Sequence, residues 1–141
     1  MEIKQIRMGI VGAGTWGRTH ASIYAEHLFA DPVAICDMNE ARAREIADEF
    51  GIRKVYTDYH DMAADEEIDA VAIVTPDFAH ADIACAMADA KKDILIEKPL
   101  ATTKEDIATV NSQILYAYYV LKNKQNNSTI DEYEKYQTNF I

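Results

Sequence analysis

Cysteine is scarce in this chain, with two among 141 residues. Cys36 and Cys85 are far apart, and neither belongs to a pair with the spacing of a zinc or redox motif. Both lie in apolar segments, where a small buried side chain is more common than a reactive one. His20 and His27 are seven residues apart on one predicted helix, a spacing that does not pair metal ligands, and His60 lies in a polar loop. We expect no disulfide framework and no metal site, and we assign these three histidines no role.

Basic residues are outnumbered, because 14 lysines and arginines stand against 24 aspartates and glutamates and give a net charge of −10. Nucleic-acid binding needs a basic surface, so no nucleic-acid partner is expected. Long apolar runs are also missing, and none approaches the roughly 20 residues of a membrane span. The first residues lack the basic start, apolar centre and cleavage site of a secretory signal. We therefore expect a cytoplasmic protein that does not cross a membrane.

Glycine and proline are absent after residue 110, although the preceding part holds all five glycines and all three prolines. The last residues instead hold five of the six asparagines and five of the eight tyrosines. This change in composition predicts a domain at residues 1–122 and an atypical tail at residues 123–141. The letters NKQNNS at the start of the tail predict a loop, and a short helix is expected from Ser128 or Thr129.

Short apolar runs alternate with amphipathic segments through the first domain. Strands are predicted at IRMGIVG, VAICD, RKVYTD, AVAIVTP and DILIEKP. Helices are predicted between them, and the last helix is expected to open at Thr102 or Thr103, where Thr102 and Glu105 form a capping box. Continuous apolar strands that alternate with helices are typical of a parallel sheet covered on both faces. The predicted fold class is α/β, a doubly wound parallel sheet of five strands. Its ligand crevice would lie at the carboxyl ends of the strands, where the strand order reverses.

The segment RMGIVGAGTWGRTHA contains the spacing G-x-G-x-x-G between the first strand and the first helix. At Gly12 the chain can turn tightly, at Gly14 a pyrophosphate can approach the backbone, and at Gly17 the helix can pack closely on the strand. The unpaired N–H groups at the start of the helix attract phosphate. Asp37 ends the second strand twenty residues after Gly17, where its carboxylate can accept hydrogen bonds from a ribose. This combination predicts a dinucleotide-binding site.

Asp37 also favours NAD over NADP, because a carboxylate repels a 2′-phosphate. The next residues, Met38 and Asn39, are not the arginine that such a phosphate requires. Arg42 and Arg44 are close in sequence, but on a predicted helix face such side chains are usually solvated. NAD is the expected cofactor, with NADP as the alternative.

Four motifs in order, GIVGAGTWGRTHA, ICD, VTPDFAH and EKPLATT, resemble the N-terminal half of the glucose–fructose oxidoreductase, inositol dehydrogenase and rhizopine-catabolism family, Gfo/Idh/MocA. The resemblance extends from about Ile6 to about Val110. Enzymes of this family move hydride between a nicotinamide cofactor and a hydroxyl carbon, usually of a sugar or cyclitol. The resemblance therefore implies the NAD(P)-binding Rossmann domain of an oxidoreductase.

The resemblance also implies roles for residues at the strand ends. Lys98 matches the catalytic lysine of the family, and a cation there can stabilise developing alkoxide charge. Outside this motif, Lys98 would be interpreted as a solvated lysine. The alternative for His80, at a predicted helix start, is a capping or surface role, and the alternative for Trp16 is packing against the helix. The residues implied in cofactor binding are Gly12, Gly14, Thr15, Trp16, Gly17, Asp37, Thr75, Pro76, His80 and Glu97.

The sequence departs from the family pattern after the fifth strand. The family continues with a sixth strand and a second domain that binds substrate and supplies a histidine acid/base, and this sequence contains neither pattern. We expect a truncated oxidoreductase domain that is inactive alone and meets a sugar or polyol only if a second domain is supplied. The alternative is a non-catalytic dinucleotide-binding module that senses NAD or complements a partner chain. A homo-oligomer is conceivable through the tail or the open sheet edge.

Overall fold

A computed structural model describes the backbone of residues 4–126 and the side chains of residues 4–116. Strands and helices alternate along this part of the chain. They are β1 (Ile6–Val11), α1 (Thr15–Glu26), β2 (Ala30–Cys36), α2 (Glu40–Phe50), β3 (Lys54–Tyr56), α3 (Tyr59–Ala64), β4 (Ala70–Ile73), α4 (His80–Asp89), β5 (Asp93–Ile96) and α5 (Lys104–Asn126).

The five strands form one parallel sheet in the order β3-β2-β1-β4-β5. The chain moves outward from β1 to β3 on one side and then continues at β4 on the other side. The strand order therefore reverses between β1 and β4, which is where ligands bind in sheets of this class. This arrangement confirms the predicted doubly wound α/β fold and its five parallel strands. Within the described sheet, β3 and β5 are the edge strands.

Both faces of the sheet are buried, as the continuous apolar strands predict. On one face, Val71 of β4 belongs to a buried cluster with Met87 of α4 and Val110 of α5. On the opposite face, the next residue, Ala72, packs in a second cluster with Ile46 of α2. Neighbouring residues of one strand point to opposite faces, so α1 and α2 cover one side and α3, α4 and α5 cover the other.

The last helix is capped by Thr103, the second of the two threonines predicted to open it. Its first residue is Lys104, and the hydroxyl of Thr103 accepts a hydrogen bond from the N–H of Asp106 at 3.0 Å. The capping box predicted for Thr102 and Glu105 is therefore wrong by one residue. Threonine at either position satisfies the sequence pattern, so only the backbone conformation decides which hydroxyl caps the helix.

The same helix also extends further than predicted. It continues to Asn126, so the loop predicted for NKQNNS is wrong over its first four residues. Proline breaks a helix because its φ angle is fixed and it has no backbone N–H. Asparagine, lysine and glutamine have neither constraint, so a helix that has begun can continue through them. The helix predicted from Ser128 or Thr129 lies outside the described residues, and the domain boundary at residue 122 stays a prediction. Within residues 4–126, no helix is both long and apolar enough to cross a membrane.

Paired charges join the amino ends of β1 and β4. The carboxylate of Asp69 accepts hydrogen bonds from three donors of Arg7: the backbone N–H at 2.9 Å, Nε at 3.0 Å and an Nη at 2.6 Å. These bonds lower the pKa of Asp69 to about 2. A carboxyl group with a lowered pKa stabilises the fold above its unfolded-state pKa, and this stabilisation is lost as the pH falls to the folded-state value.

We predict that Asp69→Asn lowers the free energy of unfolding at pH 7 by about 1 kcal/mol, because the amide cannot accept charge-assisted bonds from the guanidinium. The difference between wild type and variant should narrow between about pH 4 and about pH 2, where Asp69 becomes protonated. Urea unfolding followed by circular dichroism measures both quantities.

Glu40→Gln is the control, because it removes the partner of Arg44 in an exposed ion pair of 2.6 Å. That change should cost less than about 0.5 kcal/mol. Equal losses in the two variants would contradict a special contribution of the Arg7–Asp69 pair.

Candidate functional site

Two glycines of the loop between β1 and α1 are required by the fold itself. Gly12 has φ +109°, and a Cβ there would lie 2.9 Å from the backbone of Val74. A Cβ on Gly17, inside α1, would collide with the carbonyl oxygen of Gly12. A side chain at either position would push α1 away from the sheet or strain the turn.

Gly14 is different, because nothing lies within 4 Å of a Cβ built on it. Its backbone is extended, with φ −81° and ψ −163°, a conformation that any residue adopts. Gly14 is also the N-cap of α1 and supplies no side-chain hydrogen bond to the first turn. Glycine is a favourable N-cap residue, but the fold leaves room for a side chain here, and a ligand that approaches the backbone and the helix N-terminus would need that room.

A cleft of about 400 Å³ opens beside this turn, between α1 and α2. Arg18 lines it and forms ion pairs with Glu45 and Glu49. Arg42 also lines it, and its side chain has no hydrogen bond or ion pair within the described part of the chain. Arg42 is therefore the lining cation that is available to an anionic ligand. The full lining is Ala13, Gly14, Thr15, Arg18, Arg42, Glu45 and Ile46.

Asp37 lies at the carboxyl end of β2, where its carboxylate holds the glycine turn. Its Oδ2 accepts a hydrogen bond from the N–H of Ala13 at 2.7 Å, and its Oδ1 accepts one from the N–H of Asn39 at 2.8 Å. Sequence reasoning missed this structural role, although an acid placed beside a glycine turn is the signal for it. Each carboxylate oxygen has a second lone pair, so Asp37 can also accept a hydrogen bond from a ribose hydroxyl.

Thr75 lies just beyond β4, against the glycine turn. The N–H of Val74 donates to the carbonyl oxygen of Val11 at 2.9 Å, which keeps the two strand ends side by side. The hydroxyl oxygen of Thr75 is buried and has no hydrogen-bond partner among the described residues. Such buried orphans are uncommon, and a polar group of a bound ligand would satisfy this one. Pro76 follows and is exposed.

Glu97 comes directly after β5 and contacts α1 through a histidine that sequence reasoning left without a role. The Nε2 of His20 lies 3.3 Å from Oε1 of Glu97, and its Nδ1 lies 2.9 Å from the hydroxyl of Tyr24. Burial, reinforced by the charge of Glu97, raises the pKa of Tyr24. His20 and Glu97 are 77 residues apart. No local pattern in the sequence indicates this contact.

His80, the first residue of α4, contacts the loop that follows β5 at Pro99. It is 1% exposed, so the interpretation as a surface side chain is wrong. Its Nδ1 lies 2.7 Å from the carbonyl oxygen of Pro99, and its Nε2 lies 2.9 Å from the carbonyl oxygen of Thr75. Both ring nitrogens therefore face the protein. The cofactor contact that the resemblance implies for His80 stays a prediction.

The carboxyl ends of β1, β4 and β5 bring most of the predicted residues to one edge of the sheet. Lys98 is exposed there, and within the described residues it has no hydrogen bond or ion pair. Trp16 is 60% exposed in the first turn of α1, beside Thr15. No group of three metal-ligating side chains is found within the described part of the chain. A groove of about 550 Å³ between α3 and α4 contains none of the predicted residues.

The two kinds of glycine give a prediction for stability. Gly12→Ala should lower the free energy of unfolding by at least about 2 kcal/mol, because a positive φ and a backbone clash must be accommodated. Gly14→Ala should lower it by no more than about 1 kcal/mol, since the added methyl group meets no protein atom and the loss is limited to the poorer N-cap preference of alanine. Urea unfolding of both variants tests this contrast, and a similar loss in the two would show that Gly14 is also required by the fold.

Comparisons with known proteins agree with this geometry. Residues 6–113 match the family model GFO_IDH_MocA, described as "Oxidoreductase family, NAD-binding Rossmann fold". The inositol 2-dehydrogenase of Salmonella typhimurium is 38% identical over 107 residues, which cover 74% of this chain and 32% of that protein. The "D-xylose 1-dehydrogenase (NADP(+)) 2" of Haloferax volcanii is 38% identical over 103 residues, covering 73% and 31%.

A solved structure is similar over the same region. The scyllo-inositol dehydrogenase of Lactobacillus casei with bound NAD(H) and scyllo-inositol superposes with a TM-score of 0.78 and 31% identity, over 82% of this chain and 34% of that chain. The present chain spans about a third of the length of the relatives that it matches.

Proposed function

The chain belongs to the Gfo/Idh/MocA oxidoreductase family through its NAD-binding Rossmann domain, and from this premise we propose that it binds NAD(H) as the cofactor half of a sugar or cyclitol dehydrogenase. The observation that carries the proposal is the open space at Gly14, where no protein atom lies within 4 Å of an added Cβ and a diphosphate can approach the backbone at the start of α1. The unpartnered hydroxyl of Thr75, at the adjoining strand end, supports the same crevice.

Each part of the crevice has a role in this proposal. The backbone at Gly14 and the first N–H groups of α1 would hold the diphosphate. Asp37 would accept hydrogen bonds from the adenosine ribose while it keeps the turn in place. A bound nicotinamide dinucleotide supplies the hydride chemistry. Lys98 would donate a hydrogen bond to the reacting oxygen and stabilise its developing negative charge.

The substrate proposed is a hydroxyl carbon of a sugar or cyclitol, because the relatives that cover this domain are named for inositol and xylose. We also propose a cytoplasmic location, since Cys36 and Cys85 are free thiols. Self-association through the β5 edge stays a prediction, and so does self-association through the tail.

Dinucleotide binding without turnover is the second candidate function. One observation on two histidines favours it. His20 and His80 contact the residues on either side of Lys98, and the ring nitrogens of both face other groups of the protein. Neither is free to exchange a proton with a substrate. Hydride transfer that appears only after addition of the second domain of a family member would favour the dehydrogenase, and binding without any transfer would favour the module.

The binding proposal predicts that NADH quenches the fluorescence of Trp16 in a saturable titration, with calorimetry as an independent measurement. Gly14→Ala should weaken NADH binding by at least about tenfold, because its methyl group occupies the space needed by the diphosphate. The same variant should remain folded, with a loss in the free energy of unfolding of no more than about 1 kcal/mol. Unchanged affinity in Gly14→Ala, or no binding by the wild type, would contradict the proposal.

The cofactor preference gives a separate prediction. NADH should bind at least about tenfold more tightly than NADPH, because the carboxylate of Asp37 lies where a 2′-phosphate would be placed. Asp37→Ser should reduce this preference, since it removes the charge and keeps a hydroxyl that can accept from Ala13. In the Asp37→Ser background, Arg42→Gln should restore the preference for NADH. Arg42 is the lining cation without an ion pair among the described residues, and its charge would attract a 2′-phosphate. A preference that is insensitive to both changes would place the adenosine ribose elsewhere.

A further inference from the structure

We propose that His20 and His80 are positioning residues that hold Lys98 from both sides, His20 through the side chain of Glu97 and His80 through the carbonyl group of Pro99. The inference rests on the proposed role of Lys98 beside the reacting oxygen. Neither histidine would touch the substrate or the cofactor, and each would act through a direct neighbour of Lys98 in the chain.

Lys98 needs support that its own strand does not provide. β5 ends at Ile96, and the N–H of Glu97 donates to the carbonyl oxygen of Ile73 at 3.0 Å. Beyond that bond, Lys98 lies in irregular backbone, with no bond of its own in the described part of the chain. A group that acts on a reacting atom must be held within about 0.5 Å of its productive position. Contacts outside the strand must therefore fix this loop.

His80 supplies the contact that follows Lys98. Among the described residues, His80 is the one polar or charged residue that is buried. It lies between two carbonyl oxygens, those of Pro99 and Thr75. A carbonyl oxygen only accepts and a neutral imidazole carries hydrogen on one nitrogen, so the tautomer with hydrogen on Nδ1 donates to Pro99, the shorter of the two contacts, while Nε2 packs against Thr75. His80 therefore joins the loop after β5 to the loop after β4, where the orphaned hydroxyl of Thr75 lies.

His20 supplies the contact that precedes Lys98. It lies on α1, the helix that begins at the glycine turn, and its Nε2 faces the carboxylate of Glu97. The ring is held at its other nitrogen by the hydroxyl of Tyr24. Only 13% of the His20 side chain and 33% of the Glu97 side chain are exposed, so this charge-assisted contact is partly shielded from solvent. The helix at the diphosphate end of the crevice is thereby fixed to the loop that holds Lys98.

Asparagine and glutamine separate the two contacts of each histidine, because the amide nitrogen of asparagine takes the place of Nδ1 and that of glutamine takes the place of Nε2. At position 80, His80→Asn keeps a donor towards Pro99 and His80→Gln places one towards Thr75. At position 20 the order is reversed, since His20→Gln keeps the donor towards Glu97 and His20→Asn keeps the contact with Tyr24. Tyr24→Phe is a further control that leaves the Glu97 contact intact.

The measurement is hydrogen exchange of the Glu97 amide by nuclear magnetic resonance, together with the chemical shifts of Lys98 at its amide and Cε. We expect exchange at least about fivefold faster, with shifted Lys98 signals, in His20→Asn and His80→Gln. We expect less than about twofold change in His20→Gln, His80→Asn and Tyr24→Phe. Exchange of the central amide of Ile10 reports global stability and separates a local effect from general destabilisation.

Several outcomes would overturn the proposal. One is an equal effect of asparagine and glutamine at both positions, and another is a change at Ile10 as large as that at Glu97. A third is no change in any variant. Should the position 80 variants fail to fold, the partly exposed His20 set decides alone. NADH titration of the wild-type sample keeps the two proposals distinct, because lack of binding contradicts the proposed function while the exchange pattern still tests the two histidines.

Discussion

The hydrogen bond from the N–H of Ala13 to the carboxylate of Asp37 is the interaction on which the crevice depends. At 2.7 Å it joins the glycine turn to the end of β2. The N–H of Gly12 donates to the carbonyl oxygen of Cys36 at 2.8 Å, so side chain and backbone hold the turn at the same strand end. With the turn fixed there, α1 begins at the carboxyl end of β1. Its N-terminus therefore lies at the point between β1 and β4 where the strand order reverses.

Residues of this crevice combine structural and ligand-binding roles to different degrees. Gly12 and Gly17 are required by contacts inside the protein, and Asp37, which is proposed to bind the ribose, also holds the turn. Loss of binding in an Asp37 variant would therefore not distinguish a missing ligand contact from a distorted turn. Among the described residues, Gly14 has no contact that requires glycine and the hydroxyl of Thr75 has no hydrogen-bond partner, which makes them the more direct indicators of a bound ligand.

The sequence was sufficient for the architecture because its strands and turns are local patterns. Continuous apolar runs, the glycine spacing and the acid after β2 each depend on a few adjacent residues, and the parallel sheet confirms the order they predict. Contacts between distant segments were not accessible in the same way. Three contacts, His20 with Glu97 and His80 with two carbonyl oxygens, depend on how α1, β4 and β5 pack together. No residue spacing in the sequence predicts that packing. The end of α5 was missed for a different reason, since polar residues neither favour nor break a helix strongly.

The most direct test of the central claim is to map amide chemical-shift changes in the labelled protein as NADH is added. The proposal predicts that the largest changes occur at residues 12–17, at Asn39, at Thr75 and at Glu97 and Lys98, which together line the carboxyl ends of β1, β2, β4 and β5. The amides of the groove between α3 and α4, around Tyr59 and Cys85, should remain unchanged. Changes centred on that groove, or absent from the glycine turn at saturating NADH, would contradict the claim that this crevice is the dinucleotide site.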